Sequence, residues 1–378
     1  MIDFPMDSAS VYTELYCIIL YLIVLIPNYK YTVLYPFKYN ISTFHQRKWM
    51  IFLFFAFITY CPLGDFFHLV THLRSPNFTS DPTQYGVDYI YGIIGEVVQT
   101  NYLMFRIIFW GGGFYIYCRL AEMNKIPTYY AAILFFISHV LLFCYARVSI
   151  SMVIYFYGLS FLCYINKKNY FRNLFLGILF IAFSRLFHVS SLIMIVATLG
   201  ILIPLKKWMI PIILVLIPII AFIVREHLFL YMESNLADDY LVHKFNRYAN
   251  NEISIGIARK VIDTFGYGSI YIPMLLSTIC IFFKNKYCNI PISIVRMYKV
   301  TFVIIIISIS FLFFGSSFYT FYYRVLYMAM IPLTIIIIRL CKDGYMSRKY
   351  FLWSVIPSIP YHLLKNMYNI YLVDLGIG

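Results

Sequence analysis

Several arginines in this chain lie at the ends of long apolar segments, where a charged side chain is energetically costly. Arg147 lies in a short turn between two such segments, and Arg324 follows an aromatic run that includes Tyr322. Arg185 precedes His188 by three residues, so the two share one side of a turn if the segment is helical. Guanidinium groups bind phosphate and carboxylate through paired hydrogen bonds. These residues therefore predict a site that binds an anion.

Each of these arginines also has a structural interpretation, in which it pairs with an acid or reaches for water from a helix end. Ionisable groups at a membrane boundary are costly and tend to be functional, which favours anion binding for the group as a whole. His139 lies inside an apolar segment and is interpreted as a packing residue. His188 differs from it because Arg185 is close by.

The elements that must position these residues are transmembrane helices. Of the 378 residues, 62% are hydrophobic and 12% are charged, against about 45–50% apolar and 25% charged in soluble domains. The mean hydropathy is +0.78. A spanning helix needs about 20 apolar residues, so the chain is predicted to be one all-α polytopic membrane domain, 1–378, with about 12 transmembrane helices. The predicted spans are 11–27, 49–63, 101–119, 127–145, 148–165, 172–184, 189–205, 208–224, 266–283, 300–316, 324–340 and 350–368.

Loop charges assign the two sides of the membrane. Most lysines fall in one set of loops, which the positive-inside rule makes cytoplasmic, so both termini face outward. No removable signal peptide is expected, because the first ten residues contain acids and no cation. The outer side has only Lys244, Lys260 and Lys365 but many arginines, namely Arg74, Arg106, Arg147, Arg185, Arg225, Arg247, Arg259 and Arg324. The net charge of +14 is therefore attributed to topology and not to nucleic-acid binding.

Two long loops, 64–100 and 225–265, both face outward in this topology. Loops of this length usually carry function. They contain carboxylates next to aromatic residues, a combination that suits sugars because one group accepts hydroxyl hydrogen bonds and the other stacks. The candidates are Asp65, Asp88, Tyr89, Asp239 and Tyr248. Loop 225–265 also fits an amphipathic helix on the membrane surface, with Leu241, Phe245 and Tyr248 on its apolar side.

Other chemistries are excluded by missing motifs. The sequence has neither a Walker-type phosphate loop nor an H-E-x-x-H motif, which excludes nucleotide hydrolysis and zinc proteolysis. Its eight cysteines lie mostly in apolar runs without a C-x-x-C pair, so neither disulfides nor a metal site is expected. No cofactor is predicted.

The chain resembles bacterial polysaccharide polymerases of the EpsG/Wzy type over most of its length. The resemblance rests on Pro62-Leu63-Gly64-Asp65, the Arg147 turn, Phe187-His188-Val189-Ser190-Ser191-Leu192 after the basic loop Lys167-Lys168, Lys244-Phe245-Asn246-Arg247-Tyr248, and Arg324 at the start of a late span. One departure is Arg147-Val148-Ser149, where the family more often has Arg-Gln followed by small apolar residues.

The resemblance implies a GT-C-like bundle in the bacterial cytoplasmic (inner) membrane and a metal-independent, inverting glycosyl transfer. The enzyme would join undecaprenyl-pyrophosphate-linked oligosaccharide repeat units on the outer face of that membrane, with membrane lipid around it and a chain-length regulator protein as a further partner. On this reading Arg147 and Arg324 clamp the pyrophosphate, assisted by Arg185 or Arg259. His188 orients or protonates it, and Asp65 or Asp88 deprotonates the acceptor hydroxyl. The glycan would contact Tyr89, Asp239, Tyr248 and Tyr322.

Two other functions remain open at this point. A lipid-linked glycan ligase would share the fold and the donor site. A polysaccharide flippase or secondary transporter would suit twelve spans, but transporters place their polar residues near the bilayer midplane. In this chain the ionisable residues are predicted to lie on one face, which favours surface chemistry.

Overall fold

The computed structural model describes residues 8–38, 41–60, 93, 101–143, 146–188, 191–235, 257–283, 290–312 and 319–374. Within these ranges all regular structure is helical and there is no strand. In chain order the helices are α1 (Ser8–Asn28), α2 (Thr43–Thr59), α3 (Tyr102–Arg106), α4 (Gly112–Met123), α5 (Thr128–Phe143), α6 (Ala146–Cys163), α7 (Tyr170–Arg185), α8 (Ser191–Thr198), α9 (Met209–Asn235), α10 (Ile257–Thr278), α11 (Ile292–Leu312), α12 (Tyr319–Met328), α13 (Met330–Lys342), α14 (Arg348–Val355) and α15 (Ser358–Asp374). Helical turns of other pitch continue some of them, namely the π-helical turns Tyr29–Leu34, Ile107–Gly111 and Ile279–Phe283 and the 3-10 turn Leu199–Leu202.

The helices agree with the predicted spans in position. In the part of the chain that the structure describes, a helix overlaps each of the twelve predicted spans. Four helical segments there are long and apolar enough to cross a membrane, namely Val11–Leu34, Lys260–Phe283, Ile292–Leu312 and Tyr322–Lys342. Shorter apolar helices include Thr128–Leu141, Val148–Cys163, Ser191–Leu202 and Met209–Ile223. The protein is therefore membrane-embedded and helical, while a full crossing by all twelve helices stays a prediction.

Prolines explain two helix breaks near the end of the chain. Pro332 is the third residue of α13 and Pro360 is the third residue of α15. Proline has no N–H to donate, and it is tolerated in a first turn because the N–H groups there have no intrahelical acceptor. Each of these two prolines therefore lies where a helix begins. The predicted span 350–368 accordingly consists of two helices, α14 and α15.

Helix extends into both ends of the predicted outer segment 225–265. Helix α9 continues to Asn235 and α10 begins at Ile257. Hydropathy marks only the apolar part of a helix, whereas the backbone hydrogen bonds continue into polar residues that favour helix. The surface helix expected around Phe245 lies outside the described residues, as does the loop 64–100 apart from Ile93.

Two helices form the centre of the bundle. Residues 131–140 of α5 are all buried, and so are residues 330–338 of α13. A helix that is apolar on every side is stable only when it is surrounded, and these two helices pack against each other. Helix α9 contrasts with them, because Ile212, Val215 and Phe222 are exposed on it. Its outer surface therefore suits contact with lipid.

Contacts between distant loops define one end of the bundle, called here the lysine-rich end. The Nη1 of Arg339 donates to the carbonyl of Asn124 at 2.9 Å, and the Nη1 of Arg296 donates to the carbonyl of Cys163 at 3.1 Å. The guanidinium of Arg348 lies 3.7 Å from the ring centre of Tyr35. The loops that the sequence assigns to a single side therefore meet at a single end.

Candidate functional site

Arg185 and His188 lie at the end of α7 that is remote from the lysine-rich end. The helix begins after Lys167 and Lys168, and its 16 residues rise about 24 Å. Arg185 is the last residue of α7, and both Arg185 and His188 are half-buried. The backbone carbonyl of His188 accepts hydrogen bonds from the Oγ and the N of Ser191, at 2.8 and 3.2 Å. These bonds fix the turn that leads into α8.

The start of α6 lies next to the end of α7. Arg147 is in the first turn of α6, and Ser151 one turn later donates its hydroxyl to the carbonyl of Ser184 at 2.9 Å. The structure therefore brings the backbone of Arg147 to the same end of the bundle as Arg185. The side chain of Arg147 lies outside the described part of the chain.

Close packing of glycines holds α6 and α7 together. A Cβ built on Gly158 would lie 3.0 Å from the carbonyl oxygen of Gly177 and 3.0 Å from the backbone N of Ile181. Only a residue without a side chain permits this approach. The two glycines thus set the distance between the helices that carry Arg147, Arg185 and His188.

Arg324 lies at the same end as Arg185, on a different pair of helices. Helix α11 leaves the lysine-rich end, where Arg296 is bound, and near its far end the hydroxyl of Ser308 donates to the carbonyl of Tyr322 at 2.8 Å. Arg324, two residues further along α12, is exposed. Tyr322 is buried, and its hydroxyl is 2.9 Å from that of Tyr271.

The proposed two-arginine clamp is only partly described. Helices α6 and α11 pack together, and so do α11 and α12. The helices that carry Arg147 and Arg324 are therefore both neighbours of α11. The distance between the two guanidinium groups is not defined, because it depends on the Arg147 side chain.

The remaining predicted site residues fall largely outside the described ranges. Arg259 lies in the first turn of α10, but its side chain is not among those described. Five more lie in the ranges 61–92 and 236–256, which the structure does not describe, and these are Asp65, Asp88, Tyr89, Asp239 and Tyr248.

A network of tyrosine hydroxyls next to Arg324 was not predicted. The hydroxyl of Tyr361 on α15 is 2.5 Å from that of Tyr323 and 2.8 Å from that of Tyr327. The ring of Tyr267 on α10 lies 5.4 Å from the ring of Tyr322 and 6.0 Å from that of Tyr323. Aromatic faces combined with hydroxyls bind sugars, since a ring covers the C–H face and a hydroxyl exchanges hydrogen bonds.

A second polar network lies between the first and last helices. The Nδ2 of Asn369 donates to the Oε1 of Glu14 at 3.0 Å, and the Nδ2 of Asn366 donates to the hydroxyl of Tyr60 at 2.9 Å. Glu14, Asn366 and Tyr60 are fully buried. Carboxylates and amides inside a membrane protein are costly and mark ion or substrate pathways when they are not structural.

His362 extends this network towards the tyrosines. It is fully buried, and its ring centre lies 5.2 Å from that of Tyr21 and 5.5 Å from that of Tyr361. Neither ring nitrogen has a hydrogen-bond partner at standard geometry among the described residues. The sequence does contain a signal, because His362, Asn366 and Asn369 are spaced four and three residues apart and therefore share one helix face. It was missed because hydropathy averaged over the predicted span 350–368 does not single out these three residues.

Arg106, one of the predicted outer arginines, has a clear structural contact. It is buried, and it donates from Nη2 to the carbonyl of Tyr60 at 2.8 Å and from Nε to the carbonyl of Ile58. Its guanidinium carbon lies 4.2 Å from the ring centre of Trp110. Arg106 therefore binds the free carbonyls at the end of α2.

No group of three or more His, Cys, Asp or Glu side chains that could hold a metal ion occurs within the ranges that the structure describes.

A comparison of the chain with models of protein families, with curated proteins and with solved structures gives no match.

Proposed function

We propose that this protein is a membrane glycosyltransferase that polymerises undecaprenyl-pyrophosphate-linked oligosaccharide units by inverting transfer. The reaction takes place at the outer face of a bacterial cytoplasmic membrane, where both termini also lie. The lysine-rich end of the bundle is then cytoplasmic, as the positive-inside rule requires.

The observation that carries the proposal is the set of groups at the opposite end of the bundle. Arg185, His188 and Arg324 lie at that end, and a network of tyrosine hydroxyls lies beside Arg324. Cations suit a diphosphate, and hydroxyl-bearing aromatic rings suit a glycan. Their location together at a membrane surface fits a lipid-linked sugar, whose diphosphate must lie at the level of the lipid headgroups.

The chemistry assigns a role to each group. A hydroxyl of the acceptor sugar attacks the anomeric carbon of the donor, and the bond from that carbon to the pyrophosphate oxygen breaks with its electron pair on the oxygen. Arg147 and Arg324, with Arg185 or Arg259, stabilise the negative charge that develops there. His188 orients or protonates the leaving group, and Asp65 or Asp88 accepts the proton of the acceptor hydroxyl.

A flippase or secondary transporter is the second candidate, and one observation favours it. The buried Glu14, Asn366 and His362 lie inside the bundle, where transporters place groups that bind a coupling ion. A ligase with the same donor site is a third possibility, and no contact in the described residues separates it from a polymerase.

Deleting the gene in the source bacterium distinguishes these functions. Loss of a polymerase leaves surface glycan with a single repeat unit, which is the expected result. Absence of all surface glycan indicates a flippase, and free polymer without its anchor indicates a ligase. The glycan ladder on a gel is the measurement, and the unmodified gene on a plasmid should restore it.

A further inference from the structure

An apolar groove lies between helices on the side of the bundle. It has a volume of about 230 Å³ and is formed by α9, α11 and the 3-10 turn Leu199–Leu202. Its walls are almost entirely aliphatic and aromatic, with Ile213 and Ile217 on α9 facing Phe302 and Ile306 on α11.

One side of the groove is formed by a short helical segment and the residues that follow it. Helix α8 and its 3-10 turn together cover Ser191–Leu202, 12 residues by number, whereas a span needs about 20. Gly200 brings this segment against α11, since a Cβ there would lie 2.9 Å from the Cγ2 of Val303. Gly200, together with Ile203 and Leu205 directly after the segment, forms one wall of the groove.

A single cation lies at one end of the groove. Lys299 is the only charged residue among the described residues that line it, and Ser310 marks the other end. The two are 11 positions apart on α11, which corresponds to about 16 Å along the helix. Lys299 is on the same side as the lysine-rich end, because Arg296, one turn earlier, binds the carbonyls of Cys163 and Ile165 there.

The surroundings add positive charge at the mouth. Lys206 and Lys207 follow the 3-10 turn and are exposed, and no acidic residue lines the groove within the described ranges. The neighbouring surface of α9 is apolar and exposed. An aliphatic slot with a cationic mouth at a membrane surface matches a hydrocarbon chain that ends in a phosphate.

We propose that this groove binds one acyl chain of an anionic phospholipid from the leaflet at the lysine-rich end, with the lipid phosphate at Lys299. The site is separate from the proposed glycosyl transfer, and it holds even if that function is wrong. Its effect is to fill the groove beside the short segment 191–202 and to anchor α9 against α11.

Native mass spectrometry of the purified full-length protein in detergent tests this site, with phosphatidylglycerol and phosphatidylcholine of identical chains as probes. We expect one lipid adduct that prefers phosphatidylglycerol. Lys299→Gln should weaken that adduct about fivefold, the effect of one surface cation on an anionic lipid, and should weaken binding of the zwitterionic phosphatidylcholine less, so that the preference for phosphatidylglycerol falls. Lys168→Gln, an exposed lysine at the same end but in another loop, is the matched control.

A second variant tests the groove itself. Ile217→Trp places a large ring in the slot from a half-exposed position on α9, and it should remove the adduct of both lipids while the protein stays monodisperse. Equal binding of the two lipids, or an adduct that survives both variants, would overturn the proposal. So would displacement of phosphatidylglycerol by undecaprenyl phosphate in a manner that does not depend on Lys299, because the groove would then hold a substrate tail.

Discussion

Arg106 and Arg324 show how differently two arginines of this chain are placed. Arg106 is buried, and its guanidinium donates to the carbonyls that end α2. Arg324 is exposed near the start of α12, beside a group of tyrosine hydroxyls. Both were grouped as outer arginines from the sequence, yet Arg106 is buried and Arg324 is exposed.

Arg106→Gln should destabilise the fold by about 1–3 kcal/mol, because buried carbonyls at the end of α2 lose their donors. The unfolding midpoint of the purified protein in detergent measures this effect. Arg119→Gln is the matched control, since Arg119 is exposed and pairs only with the nearby Glu122, and it should change stability by less than about 0.5 kcal/mol. Equal midpoints for the two variants would contradict the role of Arg106.

His188→Ala should abolish the glycan ladder while the protein stays at normal abundance in the membrane. The half-buried His188 follows Arg185 by three residues, just after the end of α7, where the proposed function places the leaving diphosphate. His45→Ala is the control, because His45 is exposed at the start of α2 and so at the lysine-rich end. A full ladder from His188→Ala would make His188 a packing residue and leave the arginines to support the site.

Arg324→Lys should shorten the polymer without affecting membrane insertion. Lysine keeps the charge but cannot form the paired hydrogen bonds that guanidinium makes with a diphosphate. The ladder of this variant is compared with that of Arg324→Gln, which removes the charge as well and should be weaker still. Full activity in Arg324→Lys would reduce the role of Arg324 to its charge.

Sequence reasoning located Arg185, His188 and Arg324 at one end of the bundle but missed the buried polar residues. Glu14 is one acid in an apolar run, so a hydropathy average hides it. Whether it faces lipid or protein depends on Asn369, which is 355 positions away in sequence. Contacts of that range cannot be read from local patterns, whereas helix ends and charged loops can.

At the scale of elements, the pair α6 and α7 carries Arg147 and Arg185, with His188 in the turn after α7, and its packing depends on glycine. A Cβ at Gly158 would meet backbone atoms of α7, which cannot move aside without moving the helix. A Cβ at Gly177 would meet mainly the side-chain end of Leu162, at 2.4 Å from its Cδ2, and that side chain can change rotamer. The two glycines are therefore not equivalent.

Gly158→Ala should lower the unfolding midpoint more than Gly177→Ala, and it should also reduce the glycan ladder by displacing Arg185 and His188. Gly112→Ala is the control, because nothing lies within 4 Å of a Cβ built there and alanine favours helix over glycine by about 1 kcal/mol. The combination of Gly177→Ala with Leu162→Ala should relieve the clash at Gly177. Equal effects of Gly158→Ala and Gly177→Ala would show that α6 and α7 can move apart to accommodate a side chain at either position.

The positions of helices follow from the sequence better than their ends do. Within the described residues a helix overlaps each of the twelve predicted spans, because burial in lipid or protein requires apolar residues. The ends of the helices also depend on prolines in first turns and on polar residues that continue a helix into water. The π-helical turn Ile107–Gly111 next to Arg106 likewise reflects local packing.

At the scale of the whole molecule, the two ends of the bundle should face opposite sides of the membrane. Lys167→Cys at the lysine-rich end should react with a membrane-impermeant maleimide only after the cells are opened, whereas a cysteine added at the amino terminus should react in intact spheroplasts. The unmodified chain is the blank, since its described cysteines are buried or half-buried. Labelling of Lys167→Cys in intact spheroplasts would show that the lysine-rich end faces outward, which contradicts the predicted topology.

The bond between Asn369 and Glu14 also has a consequence for how the protein is made. A ribosome adds about 5–20 residues per second, so the 355 positions between these residues correspond to roughly 20–70 s of synthesis. For all of that time the carboxylate of the first helix must remain in the membrane, or at the insertion machinery, without its amide. The carbonyl of Asn124 likewise lacks its donor until Arg339 has been synthesised. Chains that stop before α15 therefore lack the amide that bonds to Glu14 in the complete fold.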